Sequence, residues 1–310
     1  MSQVAVVRTD LGRVLREQDG VLTAAQAYDL GGRAWVRSQM RRHLWQSPTR
    51  GVYVTHNGPL TEAQRRWVAL LAAPSGSALG GITALRLDGF TALAPTGSSE
   101  VPRVVQPISS WRSRHTDVVT HWSSMLDHRD VHPLRLPRRT RPERSVLDEA
   151  SWSVHPRRAR AVVLSAAQQG LVVTRGLREA MTRRGACRHR ALLVESYLDA
   201  RGGIQSLPER DFDDIRRRVG APRPTRQARV KRDDGRYYLD VEWEELETAC
   251  EIHGIPHLMV EQWDGDLMRA NEIVIDGPRL LIFSSYAVRH EPDAVASQLV
   301  RMLRRGGWRG

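Results

Sequence analysis

Asp240, Glu251 and His253 are the residues whose types and spacing could cut a phosphodiester. They stand in Tyr238-Leu239-Asp240-Val241-Glu242-Trp243 and Cys250-Glu251-Ile252-His253-Gly254. A β-strand alternates its side chains, so Glu251 and His253 fall on one face. A preceding strand can set Asp240 beside them. Two carboxylates and a polar third group suit Mg2+, with Mn2+ as the alternative, in a site that keeps some of the ion's waters. One of those waters can become the nucleophile.

Local charge agrees with this chemistry. Residues 237–272 carry one arginine against ten acids, inside a chain of net charge +12. An acidic patch in a basic chain is what a divalent-cation site looks like before the ion is added. Glu244, Glu245 and Glu247 are expected in a turn between the two core strands. Other elements must frame the acids. A helix carrying Glu209 comes first, and Ala221-Pro222-Arg223-Pro224 separates it from the first core strand. Strands are expected at Gln227–Val230, Tyr237–Val241, Ala249–His253 and Leu280–Phe283, the last an apolar run suited to burial. An amphipathic helix, Val295–Leu303, closes an α/β order.

This arrangement resembles the PD-(D/E)XK nuclease superfamily, in particular the small domain related to very-short-patch-repair endonucleases. Gly254-Ile255-Pro256-His257 looks like that group's Gly-x-x-His, and Trp263-Asp264-Gly265-Asp266-Leu267-Met268-Arg269-Ala270-Asn271 like its Asp-x-x-Arg segment. Ser206-Leu207-Pro208-Glu209 resembles its opening Ser-x-x-Glu helix. The likeness covers about residues 203–308. It implies Asp240 and Glu251 as metal ligands, with Glu209 supporting the ion. It implies His257 and Arg269 as the groups that steady the phosphate or the leaving oxygen, whereas His253 as base or ligand is read from its imidazole chemistry. There is one departure. The superfamily often has Lys where His253 stands, and close relatives often have Asp. Lys231, the chain's only lysine, precedes the core strands. Imidazole titrates near neutrality and can act as a base. The same substitution equally fits a site that has lost catalysis, so both an Mg2+-dependent DNA endonuclease and a non-catalytic domain stay open.

A second constellation lies near the N-terminus. Arg33, Arg37, Arg41, Arg42 and Arg50 fall within residues 33–50, where no acid interrupts them. Arg37 and Arg41, four apart, share a helix face. Arginine grips phosphate and base edges bidentately, so a helix carrying them can enter the major groove of duplex DNA. The competing reading is a solvated helix surface. Residues 9–58 read as a winged helix-turn-helix. Leu11, Val14 and Leu15 give a first helix, Gly20 ends it, and Thr23 caps the next. Gly31-Gly32 makes the turn, Ala34–Arg42 is the arginine-bearing helix, and Leu44–Thr55 holds the wing strands. Gly20-Val21-Leu22-Thr23, that helix and Arg50-Gly51-Val52-Tyr53-Val54 resemble the N-terminal domain of AbiEi-type antitoxins of type IV toxin–antitoxin systems. The resemblance implies operator binding, repression of the protein's own promoter, and a toxin partner.

The whole chain, 310 residues long, is expected to be an α+β multidomain protein. We place a winged helix at 1–60, a mixed middle domain at 61–200, and an α/β restriction-endonuclease-like domain at 201–310. The basic balance points to nucleic acid, against the plainer reading of arginine-rich composition. No apolar run nears the roughly 18 residues of a membrane span, so no membrane partner is expected. Met1-Ser2-Gln3-Val4 does not open a signal peptide, and Cys187 and Cys250 read as free thiols of the cytoplasm.

The middle region reads as scaffold. Ala63, Trp67, Leu70 and Leu71 line one helix, and Gly80–Leu87 forms another. A loop spans 93–100, and strands are expected at Val101–Pro107 and Thr116–His121. Pro142 opens a helix in which Arg144 and Asp148 pair. Helices fill 157–200, with core stripes at Ala161, Val162, Leu164 and Ser165 and at Leu177, Ala180 and Met181. His115, His121, His128 and His132 lack the cysteines or His-Glu-x-x-His spacing of a zinc site and are expected at the polar surface or in local hydrogen bonds.

Overall fold

The computed structural model describes residues 12–93, 100–108, 117–185, 187–200, 209–231, 237–253, 271 and 280–310, with the backbone alone at several positions, 209, 240 and 253 among them. The chain is mixed α+β. It divides into two compact units, Met1–Ser153 with Gln169–Arg190 and Val154–Gln168 with Ala191–Gly310. Residues 61–200 are thus shared between them. No helix among the described residues is long and apolar enough to cross a membrane.

The first unit begins with α1 (12–17), β1 (Val21–Thr23) and α2 (Ala24–Arg41). Thr23 starts α2 through a reciprocal capping box. Its hydroxyl accepts from Gln26 N at 3.2 Å, and Gln26 Oε1 accepts from Thr23 N at 2.8 Å. Gly32, at φ 75° and ψ 156°, breaks α2 into two halves. That conformation costs little only for glycine. The turn expected at Gly31-Gly32 is present, narrowed to one residue. β2 (Gln46–Thr49) and β3 (Val52–Val54) form an antiparallel hairpin, and β1 joins it in the order β1-β3-β2. Leu22, Ala27, Val36 and Trp45 bury the inner side of α2 against this sheet. α3 (Glu62–Leu71) covers it with Trp67 and Val68.

A second three-stranded sheet comes next in the order β4 (Ala78–Leu79), β5 (Arg103–Pro107), β6 (Val119–Ser123). The expected strands at 101 and 116 start two and three residues later than the sequence indicated, and β4 was not anticipated. Two-residue strands carry no readable alternation. α4 (Gly81–Leu87), α5 (Pro142–Trp152) and α7 (Thr174–Arg184) complete the unit. Arg144 lies at its centre, 2 % exposed. Its Nε donates to Asp148 Oδ2 at 2.8 Å, Nη1 to Asp130 Oδ2 at 2.8 Å and to Met125 O at 2.7 Å, and Nη2 to Ser123 Oγ at 2.9 Å. Arg183 and Arg184 of α7 take the remaining oxygens, Asp130 Oδ1 at 2.8 Å and Asp148 Oδ1 at 2.7 Å. The expected helix pair is thus the middle of a buried five-residue network.

The second unit holds α6 (Pro156–Gln168), α8 (Arg190–Ala200), α9 (Glu209–Arg218), β7 (Arg226–Lys231), β8 (Tyr237–Trp243), β9 (Thr248–His253), β10 (Leu280–Ser284), α10 (Ser285–His290) and α11 (Pro292–Arg305). The strands form one sheet ordered β10-β9-β8-β7, antiparallel except for the parallel pair β9 and β10. Val241, Trp243, Cys250, Ile252, Leu281 and Phe283 bury one face against Phe212 and Ile215 of α9 and Val295, Leu299, Met302 and Leu303 of α11. Arg157 pairs with Glu291, and the buried Arg160 sits 5.0 Å from the Tyr286 ring centre, tying α6 to α10 and α11. Glu195 of α8 accepts from Arg289 at 2.8 Å and lies 3.0 Å from His290. Burial pushes its carboxyl up, but these two partners together outweigh burial and bring it down to about 2.

Candidate metal centre and nucleic-acid interface

The strand register sets the acids together. Asp240 of β8 stands opposite Glu251 of β9, and Tyr238 stands opposite His253. Directly opposed residues share a face, with Cβ atoms about 4.5–5.5 Å apart. The same row runs on to Ala228 of β7 and Ile282 of β10. Its parity is opposite to that of Val241 and Cys250, so the acid row lies on the face that α9 and α11 do not cover. Glu251, Glu242 and Ile282 are half-buried there. Asp240 and Glu251 are thus opposed positions on central strands, with the His253 position one row away.

Some expected residues stand elsewhere. Glu209 is the first residue of α9, which packs on the far face, so its backbone belongs to the other layer. Lys231 pairs with Tyr237 and has the parity of that far face, which leaves no lysine in the acid row. His257 and Arg269 lie outside the described residues, as does Gly254-Ile255-Pro256-His257 as a whole. Glu244–Leu246 form the expected turn as one 3-10 helix, and Glu247 closes it at φ 46°. Among the described residues no group of three or more His, Cys, Asp or Glu side chains gathers as a metal site. Asp240 and His253 are placed by their backbone alone.

In the first unit the arginines stand out from the body. Arg33, Arg37, Arg41, Arg42 and Arg50 reach solvent, whereas Val36 of the same helix is buried. Arg50 precedes Gly51, whose φ of 82° turns the hairpin tip, so a cation caps the β2–β3 loop. An aromatic set supports the helix from below. Trp35 meets Trp45 edge-on at 5.0 Å, Tyr28 and Tyr53 share a 3.0 Å hydroxyl contact, and the Arg33 guanidinium lies 5.3 Å from the Tyr28 ring centre. These contacts were invisible in sequence, because the rings come from separate parts of the module.

The histidines of the middle region do not converge, and His115 lies outside the described residues. His128 is 90 % exposed beside Asp127, and His132 accepts from the backbone of Leu134 and Arg135. His121 departs from the surface expectation. Its ring stacks on Trp152 with centres 3.5 Å apart and planes 3° from parallel. Its Nε2 is buried without a partner. Burial, then the charges of Arg103 and Arg184, lower its pKa to about 4. An unfolded chain protonates this ring near 6.5, so between about pH 6.5 and 4 the unfolded state holds the extra proton. The first unit is expected to lose stability as pH falls through that window. His121→Phe keeps the stack and should flatten this slope in thermal melts at stepped pH. Glu100, raised by burial, acts with the opposite sign in both proteins and cancels in the comparison. Identical slopes would remove His121 as the cause.

No protein-family model matches the chain, and no curated protein matches it either.

Proposed function

We propose that the protein binds duplex DNA through its N-terminal module and carries a metal-dependent phosphodiesterase domain of the PD-(D/E)XK type in its second unit. The observation that carries the catalytic half is the opposition of Asp240 and Glu251 on the face of the sheet opposite α9 and α11. The DNA half rests on an element order, α1-β1-α2 broken at Gly32-β2-β3, that corresponds to a winged helix, with arginines on its second helical half and at its hairpin tip.

Mg2+, when bound, would draw charge from the scissile phosphate and lower the pKa of water. Asp240 and Glu251 would hold the ion. His253, one row away, would accept the proton of the attacking water, in the role that a lysine often fills in the resembled superfamily. His257 and Arg269 would steady the phosphate and the leaving oxygen. The experiment is plasmid nicking under Mg2+ titration. Cleavage that rises with Mg2+ and vanishes with chelator is expected; its absence at every Mg2+ and Mn2+ concentration rejects the enzyme.

A second reading, a non-catalytic antitoxin or promoter repressor, is favoured by one observation. The only lysine sits at a far-face position, away from the acid row. It leaves the DNA half intact. In either case Arg37→Ala/Arg41→Ala should weaken duplex binding about tenfold or more and reduce the log–log salt slope by about 2, near the roughly 0.9 expected per phosphate contact. Fluorescence anisotropy at several salt concentrations measures both. An unchanged slope would remove this helix from the interface.

A further inference from the structure

Asn271 is 1 % exposed and makes three hydrogen bonds. Its Oδ1 accepts from Ile282 N at 2.7 Å, and its Nδ2 donates to Ile282 O at 2.7 Å. The same Nδ2 donates to Gln298 Oε1 at 3.1 Å. A carboxamide that meets both the N–H and the C=O of one residue has a single consistent orientation. Asn271 therefore serves as a one-residue strand at Ile282, on the side of β10 away from β9. Gln298, 5 % exposed on α11, fixes the amide from the helix layer.

The position of this clamp along β10 ties it to the acids. Ile282 is the register partner of Glu251, and Glu251 of Asp240. Among the described residues, the clamp thus grips β10 at the end of the acid row. A shift of β10 along β9 would carry Glu251's backbone support with it, and register is what holds a sheet's faces in place.

We propose that Asn271, braced by Gln298, is a positioning residue for the metal centre: it pins the Ile282 end of the row on which Asp240 and Glu251 stand. This rests on the metal-centre reading above. The test uses the full chain and Mn2+ alone, with affinity from calorimetry and bound water from Mn2+ relaxation enhancement, beside thermal unfolding of each protein. Asn271→Leu, which removes all three bonds at similar volume, should weaken Mn2+ binding about 10–100-fold, as the loss of partners around metal ligands does elsewhere. Gln298→Leu keeps the bonds to Ile282 and should fall between Asn271→Leu and wild type. If Asn271→Leu does not fold, Gln298→Leu and Asn271→Asp, which keeps the acceptor but loses the donor, decide the matter by the same measurement. A lowered melting temperature with wild-type Mn2+ affinity and relaxation overturns the positioning role and leaves the metal centre standing. A wild-type protein that binds no Mn2+ overturns the metal centre, and the positioning role falls with it.

Discussion

Asp240→Asn and Glu251→Gln are each expected to reduce Mg2+-dependent plasmid nicking about a thousandfold or more, a loss of about 4 kcal/mol of transition-state stabilisation. Both changes keep shape and remove one anionic ligand. The two positions are opposed across β8 and β9, so a shared ion loses half of its carboxylate charge in either variant. Glu242 provides the control. It has the same parity as Asp240 but pairs with Ala249, one row further along. Glu242→Gln should stay within about threefold of wild type, because Glu242 stands on the side of the acid row opposite to His253, away from the proposed reaction centre. Full activity in the folded Asp240→Asn protein would reject its role. A collapse in Glu242→Gln alone would move the cation to a neighbouring row.

The second large effect is on stability. Arg144→Leu is expected to destabilise the first unit by about 3–5 kcal/mol in chemical denaturation, because it strips one partner each from the buried Asp130 and Asp148. Arg183 and Arg184 still reach those carboxylates, each at the other oxygen, and Met125 O and Ser123 Oγ lose the Arg144 donor. Arg144→Lys should recover little, since one ammonium cannot reproduce a planar fork that serves four acceptors. A cost below about 1 kcal/mol for Arg144→Leu would show that Arg183 and Arg184 by themselves compensate the two buried carboxylates.

Elements with a strong local signal were legible in the sequence. Thr23 caps α2 as expected, and the cap is completed by Gln26 three residues on, so the whole device is written locally. The glycine at the break of α2 and the buried runs of β9, β10 and α11 were readable for the same reason, since each depends on one residue type or one period. The expected strands at 101 and 116 were misplaced by two and three residues, and β4 was missed. Arg144 with Asp148 was visible as a helix pair. Asp130, Arg183 and Arg184 were not, because they arrive from distant turns of the chain with no periodic signal linking them. His121 looked like a surface histidine until Trp152, from another element, lay against it.

By itself the sequence determined which chemistries this protein could hold. Acids and a histidine alternate on strands, arginines cluster without acids, and local periodicity marks most of the framework. Tertiary structure alone decided which residues face one another. Strand register set Asp240 against Glu251 and sent Lys231 to the other face, and the fold brought a distant asparagine to the edge at Ile282. The physical reason is that side-chain alternation is encoded within a strand, whereas register is fixed by burial and hydrogen bonding between strands.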